Sequence, residues 1–452
     1  MSLYGKTFRN LLWPAYEALR GHRTPQLVRQ LDRSQWLSAD GMAALQVTEL
    51  QKLLRHAYDH SPWHRQRFDN LGISPANFRS LTDLRRLSPM TKDDIRQQGD
   101  EILAANYRDR VFPHKTGGST GVPLQFYMTR DSFEWRTAVR ARGYGWAGAA
   151  DGEKAFYLWS VAVGKVTPFQ HRKSALMDAL LRRKMFNNFR LSHATLPECL
   201  ESLNRFGPCV LVGYTSMLEY LARYIQKAGG LRIKVRSVLT AAEGLNAAQR
   251  ELLQTVFKAP VFASYGSREF MLIAMDCEHG GLHISADNLL VECVRNGQPV
   301  APGEIGQVLI TDFHNYGTPF IRYQIGDLAE AKAGNCPCGR GLPLLSTVHG
   351  RIPDTIQTPD GKLISGIFFP HLLKEFDWID EFQVIQKELD RVIVKLVAPH
   401  QAAAEKGLPQ LRHQILNVLG STVRLDFEFV TEIPRNATGK HRAVMSEIPV
   451  TI

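Results

Sequence analysis

The stretch CVLVGYTSMLEYLARYIQKAGG, residues 209–230, decides the fold. Cys209-Val210-Leu211-Val212 is a short unbroken apolar run, the pattern of a strand buried on both faces. Thr215 then opens a helix that sets Met217, Leu218, Leu221 and Ile225 on one side, and Gly229-Gly230 stops it. The alternation continues downstream. Val235 to Thr240 is the next strand, Asn246 caps a helix through Phe257, and Val261 to Ser264 returns as a strand. Strand and helix in succession argue for a parallel sheet covered by helices.

Upstream, Gly41 to Ser61 has the period of an amphipathic helix, with Leu50, Leu53, Leu54 and Ala57 on one face. Past Gly281 the pattern changes to short strands and turns, Leu289 to Val294 and Gln307 to Phe313. After about Gly350 the chain starts afresh. Phe382 to Val397 predicts a hairpin turning at Leu389-Asp390, followed by a helix from about Gln410 to Leu419 and a strand from Val423 to Val430. The expected fold class is α/β. A large N-terminal domain (1–350) of helix-flanked, mostly parallel sheets is followed by a junction (351–354) and a small α+β domain (355–452).

With 44% hydrophobic and 22% charged residues, the 452-residue chain matches an ordinary globular protein and is long enough for two domains. No apolar run approaches a membrane span. At the N-terminus Pro14 and Glu17 interrupt the apolar run, so no secretory leader is expected and the protein is read as cytoplasmic. The net charge of +11 and pI of about 9.4 suit an anionic partner. No zinc-finger pattern, aromatic RNA-binding motif or basic arm points to nucleic acid. The densest basic stretch, Lys165 to Arg190, interleaves Leu176, Met177, Leu180, Leu181, Met185 and Phe186. It is read as a helix with a buried apolar stripe and a solvated basic face; the alternative is a surface that meets anionic lipid or an anionic substrate. The sequence also leaves room for a homodimer.

Thr116-Gly117-Gly118-Ser119-Thr120-Gly121-Val122-Pro123 is the strongest local signal. Glycines let successive backbone N–H groups turn toward one ligand, and the hydroxyls add donors, which together cradle phosphate oxygens. The Walker pattern is absent, because no Gly-Lys-Ser/Thr ends the segment. Gly117 to Gly121 also satisfies the nucleophile-elbow pattern of α/β-hydrolases. That elbow needs a helix directly after the serine, whereas Pro123 to Tyr127 has the pattern of a strand.

Three further segments follow in order: Tyr265-Gly266-Ser267-Arg268-Glu269, Gly326-Asp327-Leu328 and Pro434-Arg435-Asn436-Ala437-Thr438-Gly439-Lys440. With the glycine-rich loop they resemble the adenylate-forming superfamily of acyl-CoA synthetases. Ala242-Glu243-Gly244, Arg322-Tyr323 and Cys336-Pro337-Cys338-Gly339-Arg340 look most like its phenylacetate–CoA ligase branch and capsule-biosynthesis relatives. The resemblance covers about Leu50 to Lys440. It implies an ATP-dependent, AMP-forming ligase that adenylates an organic carboxylate and passes the acyl group to coenzyme A. It also implies the roles of matching residues. Thr116, Gly117, Gly118, Ser119, Thr120 and Gly121 would hold the ATP phosphates. Tyr265, Gly266 and Ser267 would lie against adenine, with Ala242 and Glu243 on the neighbouring turn. Glu269 would bind Mg2+, Asp327 the ribose hydroxyls, and Arg351 the ribose–phosphate region. Lys440, with Glu269 and Thr120 in the catalytic set, would touch both the carboxylate and the α-phosphate and neutralise the charge that develops between them. Walls of the acid pocket would come from around Tyr214 and Ala241.

Six cysteines in a large chain do not suggest a disulfide framework. Cys199, Cys209 and Cys293 sit in apolar surroundings and are read as core. Cys277, His283, Cys336 and Cys338 are a candidate tetrahedral Zn2+ set, with His279 in reserve, and the resemblance supports a cysteine cluster here. Two alternatives to coenzyme A transfer stay open: transfer to an amine, hydroxyl or carrier in capsule synthesis, or a non-catalytic nucleotide-binding relative. The junction Gly350-Arg351-Ile352-Pro353-Asp354 departs from the branch pattern. Proline stands where the hinge aspartate belongs, which fixes φ at that position.

Overall fold

A computed structural model of the chain describes residues 2–115, 124–159, 168–187, 191, 194–351, 355–360, 363–365, 368–373, 376, 378–398, 401–434 and 443–448. Strands β1 (Val111–Lys115) and β2 (Gln125–Thr129) form an antiparallel hairpin. A twelve-stranded sheet then contains β3 (Ala155–Trp159), β4 (Arg183–Asn187), β5 (Cys209–Tyr214), β6 (Val235–Ala241), β7 (Val261–Tyr265), β8 (Ala274–Asp276), β9 (Leu282–Ile284), β10 (Leu289–Arg295), β11 (Gln298–Pro299), β12 (Ile305–Asp312), β13 (Tyr323–Lys332) and β14 (Leu344–Arg351). Its order is β11-β10-β12-β13-β14-β9-β8-β7-β6-β5-β3-β4.

The strand–helix alternation of residues 209–264 belongs to the parallel wing of this sheet. β4, β3, β5, β6 and β7 pair in parallel. Leu211, Val212, Val238 and Leu239 are fully buried between helices on both faces. Local rules set the helices as expected. Gly229, with φ +70°, stops Thr215–Ala228, and Asn246 caps Ala247–Phe257 by accepting from the Gln249 N–H at 2.9 Å. Ser38 caps the long helix Ala39–His60 in the same way. The α/β class holds, but the sheet is mixed. From β7 to β14 every pairing in this sheet is antiparallel: successive strands are joined by connections too short to hold a crossover helix, and β14 returns to pair with β9.

The basic stretch departs from its first reading. Helix ends at Leu180, and Arg183–Asn187 is the sheet's edge strand β4. Leu176 and Leu180 are exposed rather than buried.

The small domain carries β15 (Thr355–Gln357) paired with β16 (Leu363–Ser365), and a sheet of β17 (Glu381–Glu388), β18 (Arg391–Val397), β19 (Arg424–Phe429) and β20 (Val444–Ser446) in the order β19-β18-β17-β20. The hairpin at Leu389-Asp390 is as expected. Its helix is longer than expected, Gln401–Leu419, and runs through Pro409. A helix-interior proline loses a hydrogen bond. Here Ala404, Leu411, Ile415 and Leu419 form one buried face on both sides of it, and that packing keeps the helix continuous.

Candidate active site and metal centre

Chain direction sets the site. From β3 the chain goes to β4 on one side, then returns to β5 on the other, making a switch point at the carboxyl ends of β3 and β5. In open α/β sheets that crevice is where ligands bind. Trp159 ends β3 and Tyr214 ends β5. Their rings meet edge to face, centroids 4.9 Å apart. Ala241, at the end of β6, is the ladder partner of Tyr214. Tyr214 and Ala241 therefore sit together, with Trp159 beside them, a neighbour the sequence did not reveal.

Tyr265 ends β7 one strand further along. Its phenol donates to the Asp327 carboxylate on β13 at 2.7 Å, joining residues 62 positions apart. β14 places Arg351 directly across the ladder from Asp327. Between Tyr265 and β8 the chain makes a tight turn. Gly266 approaches so closely that a Cβ there would lie 2.1 Å from the Met271 carbonyl oxygen. Ser267 stabilises the turn by accepting from the Phe270 N–H at 3.2 Å and, through its carbonyl, from the Met271 N–H at 2.8 Å. Met271 itself adopts φ +63°. This folding carries Glu269 inward, where it is buried and accepts from the Tyr323 phenol at 3.3 Å. Tyr323 is a second residue whose part near the site only the structure shows.

His114, on β1, faces the same region. Burial, with Arg136 and Arg268 nearby, lowers its pKa, and Glu269 opposes that shift. The glycine-rich segment thus connects two antiparallel strands, and β2 follows it where a nucleophile elbow would need a helix. Residues 116–123 themselves, Ile352 to Asp354 and Lys440 lie outside the described residues, as does the Arg351 side chain.

Ala242 has φ +65°, so the backbone turns sharply after β6. The Glu243 carboxylate is engaged at the first turn of helix Thr215–Ala228, accepting from the Ser216 N–H at 2.7 Å and its hydroxyl at 3.0 Å. The Glu243 side chain thus ties the turn after β6 to the helix after β5.

The four candidate metal ligands converge. The Cys277, Cys336 and Cys338 sulfurs and a His283 ring nitrogen all lie within 4.8 Å of one another. Cys277 Sγ is 3.5 Å from Cys336 Sγ, and Cys338 Sγ is 3.2 Å from His283 Nε2. A tetrahedral zinc with bonds of about 2.0–2.3 Å has ligand edges of about 3.5–3.8 Å, so the set fits that ion. His283 Nδ1 donates to the Leu342 carbonyl at 3.0 Å, which leaves Nε2 as the lone-pair nitrogen facing the thiols. Backbone N–H groups of His279 and Arg340 donate to Cys277 and Cys338. Gly281 leaves the necessary room, since a Cβ there would meet Cys336 Sγ at 2.8 Å. Burial pushes the Cys277 thiol up to about 12. Burial also acts on Cys338, but hydrogen bonds from Arg340 hold that thiol below its usual value. The His279 side chain, the reserve ligand, is not in the cluster. Cys199, Cys209 and Cys293 are buried core, as expected.

Comparison with known proteins covers nearly the whole chain. The CapK C-terminal domain model matches residues 356–447. Protein CapK of Staphylococcus aureus is 26% identical over 382 residues, 82% of this chain and 81% of that protein. A phenylacetate-coenzyme A ligase of Escherichia coli is 25% identical over 435 residues, 90% of this chain and 95% of that enzyme. A 2-hydroxyisobutyryl-CoA ligase in its postadenylation state superposes with a TM-score of 0.70 at 20% identity, covering 92% of both chains. An O-succinylbenzoate coenzyme A synthetase of Bacillus subtilis, in complex with ATP and magnesium ion, gives 0.52 at 18% identity, over 73% of this chain and 68% of that one. Along most of its length the chain is therefore a homologue of the phenylacetate-coenzyme A ligases and CapK, built on the fold of the adenylate-forming CoA ligases.

Proposed function

We propose that the protein is an ATP-dependent, AMP-forming carboxylate–CoA ligase. The observation that carries the reading is the Tyr265–Asp327 pair at the edge of the parallel wing, with Glu269 and Tyr323 beside it. Tyr265 offers a ring face for adenine. Asp327, fixed by the Tyr265 phenol, is the carboxylate that would accept from the ribose hydroxyls. Glu269 supplies a hard carboxylate oxygen and is the residue that would hold magnesium, which lowers the charge of the triphosphate. The acid would sit against Trp159, Tyr214 and Ala241, and Thr116 to Gly121 would take the phosphates. Lys440 would come from the small domain to bridge carboxylate and α-phosphate. Its charge, matched to the reacting groups, favours the transition state over the separated anions.

Cys277, His283, Cys336 and Cys338 would hold a structural zinc ion. Four protein ligands leave no open position for substrate, so the site ties the β8–β9 turn to the segment before β14 rather than taking part in the reaction.

Pro353 favours a second reading for the final step. A hinge absorbs a large backbone change, and proline can change only ψ. Transfer to an amine, hydroxyl or carrier in capsule biosynthesis, without full domain rotation, is that alternative; the CapK match over residues 356–447 supports it.

Pyrophosphate exchange into ATP, screened over carboxylic acids that include phenylacetate, tests adenylation. Lys440→Ala should lower the exchange by about two to three orders of magnitude. No exchange with any acid would refute the ligase reading. Thioester formation in wild type and Pro353→Asp then tests the acceptor: rapid acyl-CoA formation by wild type, unimproved by the substitution, removes the hinge argument.

A further inference from the structure

The first helical stretch, Leu3 to Leu19, is turned the wrong way round for a surface helix. It consists of α-helical Leu3–Thr7 and Trp13–Leu19 joined by a π-helical turn, Phe8–Leu12. Its inward side is Gly5, Phe8 and Glu17, all buried. Its outward side is apolar, where a surface helix ordinarily carries charge. Leu3 is 84% exposed, Leu19 88%, Leu11 63% and Leu12 43%. The π turn aligns them. It advances about 18° less per residue than an α-helix, about a quarter turn over this segment, and so brings Leu11, Leu12 and Leu19 round to the side of Leu3.

A second apolar strip lies beside the first. Helix Pro168–Leu180 exposes Leu176 and Leu180 together with Ala175 and Ala179. The two strips meet at Tyr4, whose phenol donates to the Leu180 carbonyl at 2.8 Å. The Arg182 guanidinium lies over the Tyr4 ring at 5.1 Å and donates to the Ser2 hydroxyl at 3.3 Å. Single exposed leucines are ordinary, whereas six on two adjoining helices form a patch that implies a partner.

The charges around the patch identify that partner. Lys6, Arg20, Arg172, Lys173 and Lys184 are exposed. Within residues 2–22 and 172–187 the only carboxylates are Glu17, which is buried, and Asp178, which is ion-paired with Arg183. A leucine face rimmed by cations, on which the half-exposed carboxylates Asp32 and Asp178 are each paired with an arginine, complements a surface that is apolar beneath and negative on top. We propose that this face binds the surface of an anionic lipid bilayer. Helix Leu3–Leu19 lies in the plane of the interface, with its leucines and Leu176 and Leu180 at the headgroup–acyl boundary and the basic side chains among the lipid phosphates. A second copy of the chain is disfavoured as occupant, because the two basic rims would face each other without unpaired carboxylates between them. Among the described residues no helix is long and apolar enough to cross the membrane, so the contact is peripheral. No active-site residue enters this inference, so it stands or fails apart from the ligase reading.

Flotation of the full-length protein with vesicles tests it. Vesicles of phosphatidylcholine with about one-third phosphatidylglycerol should carry the protein at low salt, and pure phosphatidylcholine should bind at least about tenfold less. Leu11→Asn with Leu19→Asn should weaken anionic-vesicle binding by about tenfold or more, with the melting temperature unchanged. Lys6→Gln with Arg20→Gln should weaken it similarly and flatten its salt dependence. No flotation with either vesicle would overturn the proposal. So would leucine variants that float as well as wild type, or a concentration-dependent dimer that the leucine variants abolish.

Discussion

Asp327→Ala is expected to raise the ATP requirement of the exchange reaction about a hundredfold and to leave that for the acid nearly unchanged. Asp327 is buried and already accepts the Tyr265 phenol at 2.7 Å, so its carboxylate is held in place before nucleotide arrives. Hydrogen bonds to a charged group contribute about 1.5–3 kcal/mol each. Two ribose hydroxyls sharing one carboxylate with Tyr265 should come to about 3 kcal/mol in all, taking the lower figure for each. At about 1.4 kcal/mol per decade this is two orders of magnitude in the KM for ATP. Alanine also deprives the buried Tyr265 phenol of its carboxylate partner, a stability cost of about 1–3 kcal/mol. Tyr265→Phe with Asp327→Ala recovers much of that stability but not the nucleotide affinity, which separates the two roles. The assay is pyrophosphate exchange with ATP and acid varied independently. An ATP KM within about threefold of wild type, or an acid KM that rises as much, would refute the reasoning.

Gly266→Ala places a Cβ 2.1 Å from the Met271 carbonyl and must displace the turn that carries Glu269. Exchange should fall at least about a hundredfold with the circular dichroism spectrum retained, and near-normal activity would show that Glu269 is not positioned by this turn. Protein purified without chelators should contain one zinc per chain; Cys338→Ser or His283→Ala should lose most of it and lower the melting temperature, and metal-free wild type of equal stability would remove the site. His64 is fully buried, with Nε2 donating to the Pro319 carbonyl at 3.0 Å, and burial lowers its pKa to about 3. Its unfolded value is about 6.5, so the stability it contributes is present above that pH and is lost as pH falls toward 3. Urea unfolding between pH 6.5 and 4 should show a shallower decline for His64→Gln, and equal slopes would contradict the assignment.

Much of the parallel wing was legible because each of its elements is specified locally. The run Cys209 to Val212 can satisfy its side chains only inside a sheet, Gly229 only as a left-handed stop, and Asn246 only as a cap. The Cys277, His283, Cys336 and Cys338 cluster was legible for a similar reason, since sulfur and imidazole in glycine-rich loops have few other uses together. The small-domain helix was expected only from about Gln410 but starts at Gln401, because the cost of Pro409 is local while the buried face from Ala404 to Leu419 that outweighs it is not.

The sequence by itself determined the α/β class, the two-domain order, the motifs at Tyr265, Glu269 and Asp327, and the zinc-type donor set. Only the tertiary structure decided that Tyr265 and Asp327 share a hydrogen bond, that Tyr323 sits on Glu269, and that Trp159 meets Tyr214 at the switch point. It alone decided that the sheet is mixed and that Leu11, Leu19 and Leu176 face outward. The reason is physical. Helix period, caps and turns are written in neighbouring residues, whose interactions act over a few ångströms along the chain. Strand order, cross-sheet partners and the choice of which apolar face is covered are settled when distant segments compete for the same core, and no short stretch of sequence carries that outcome.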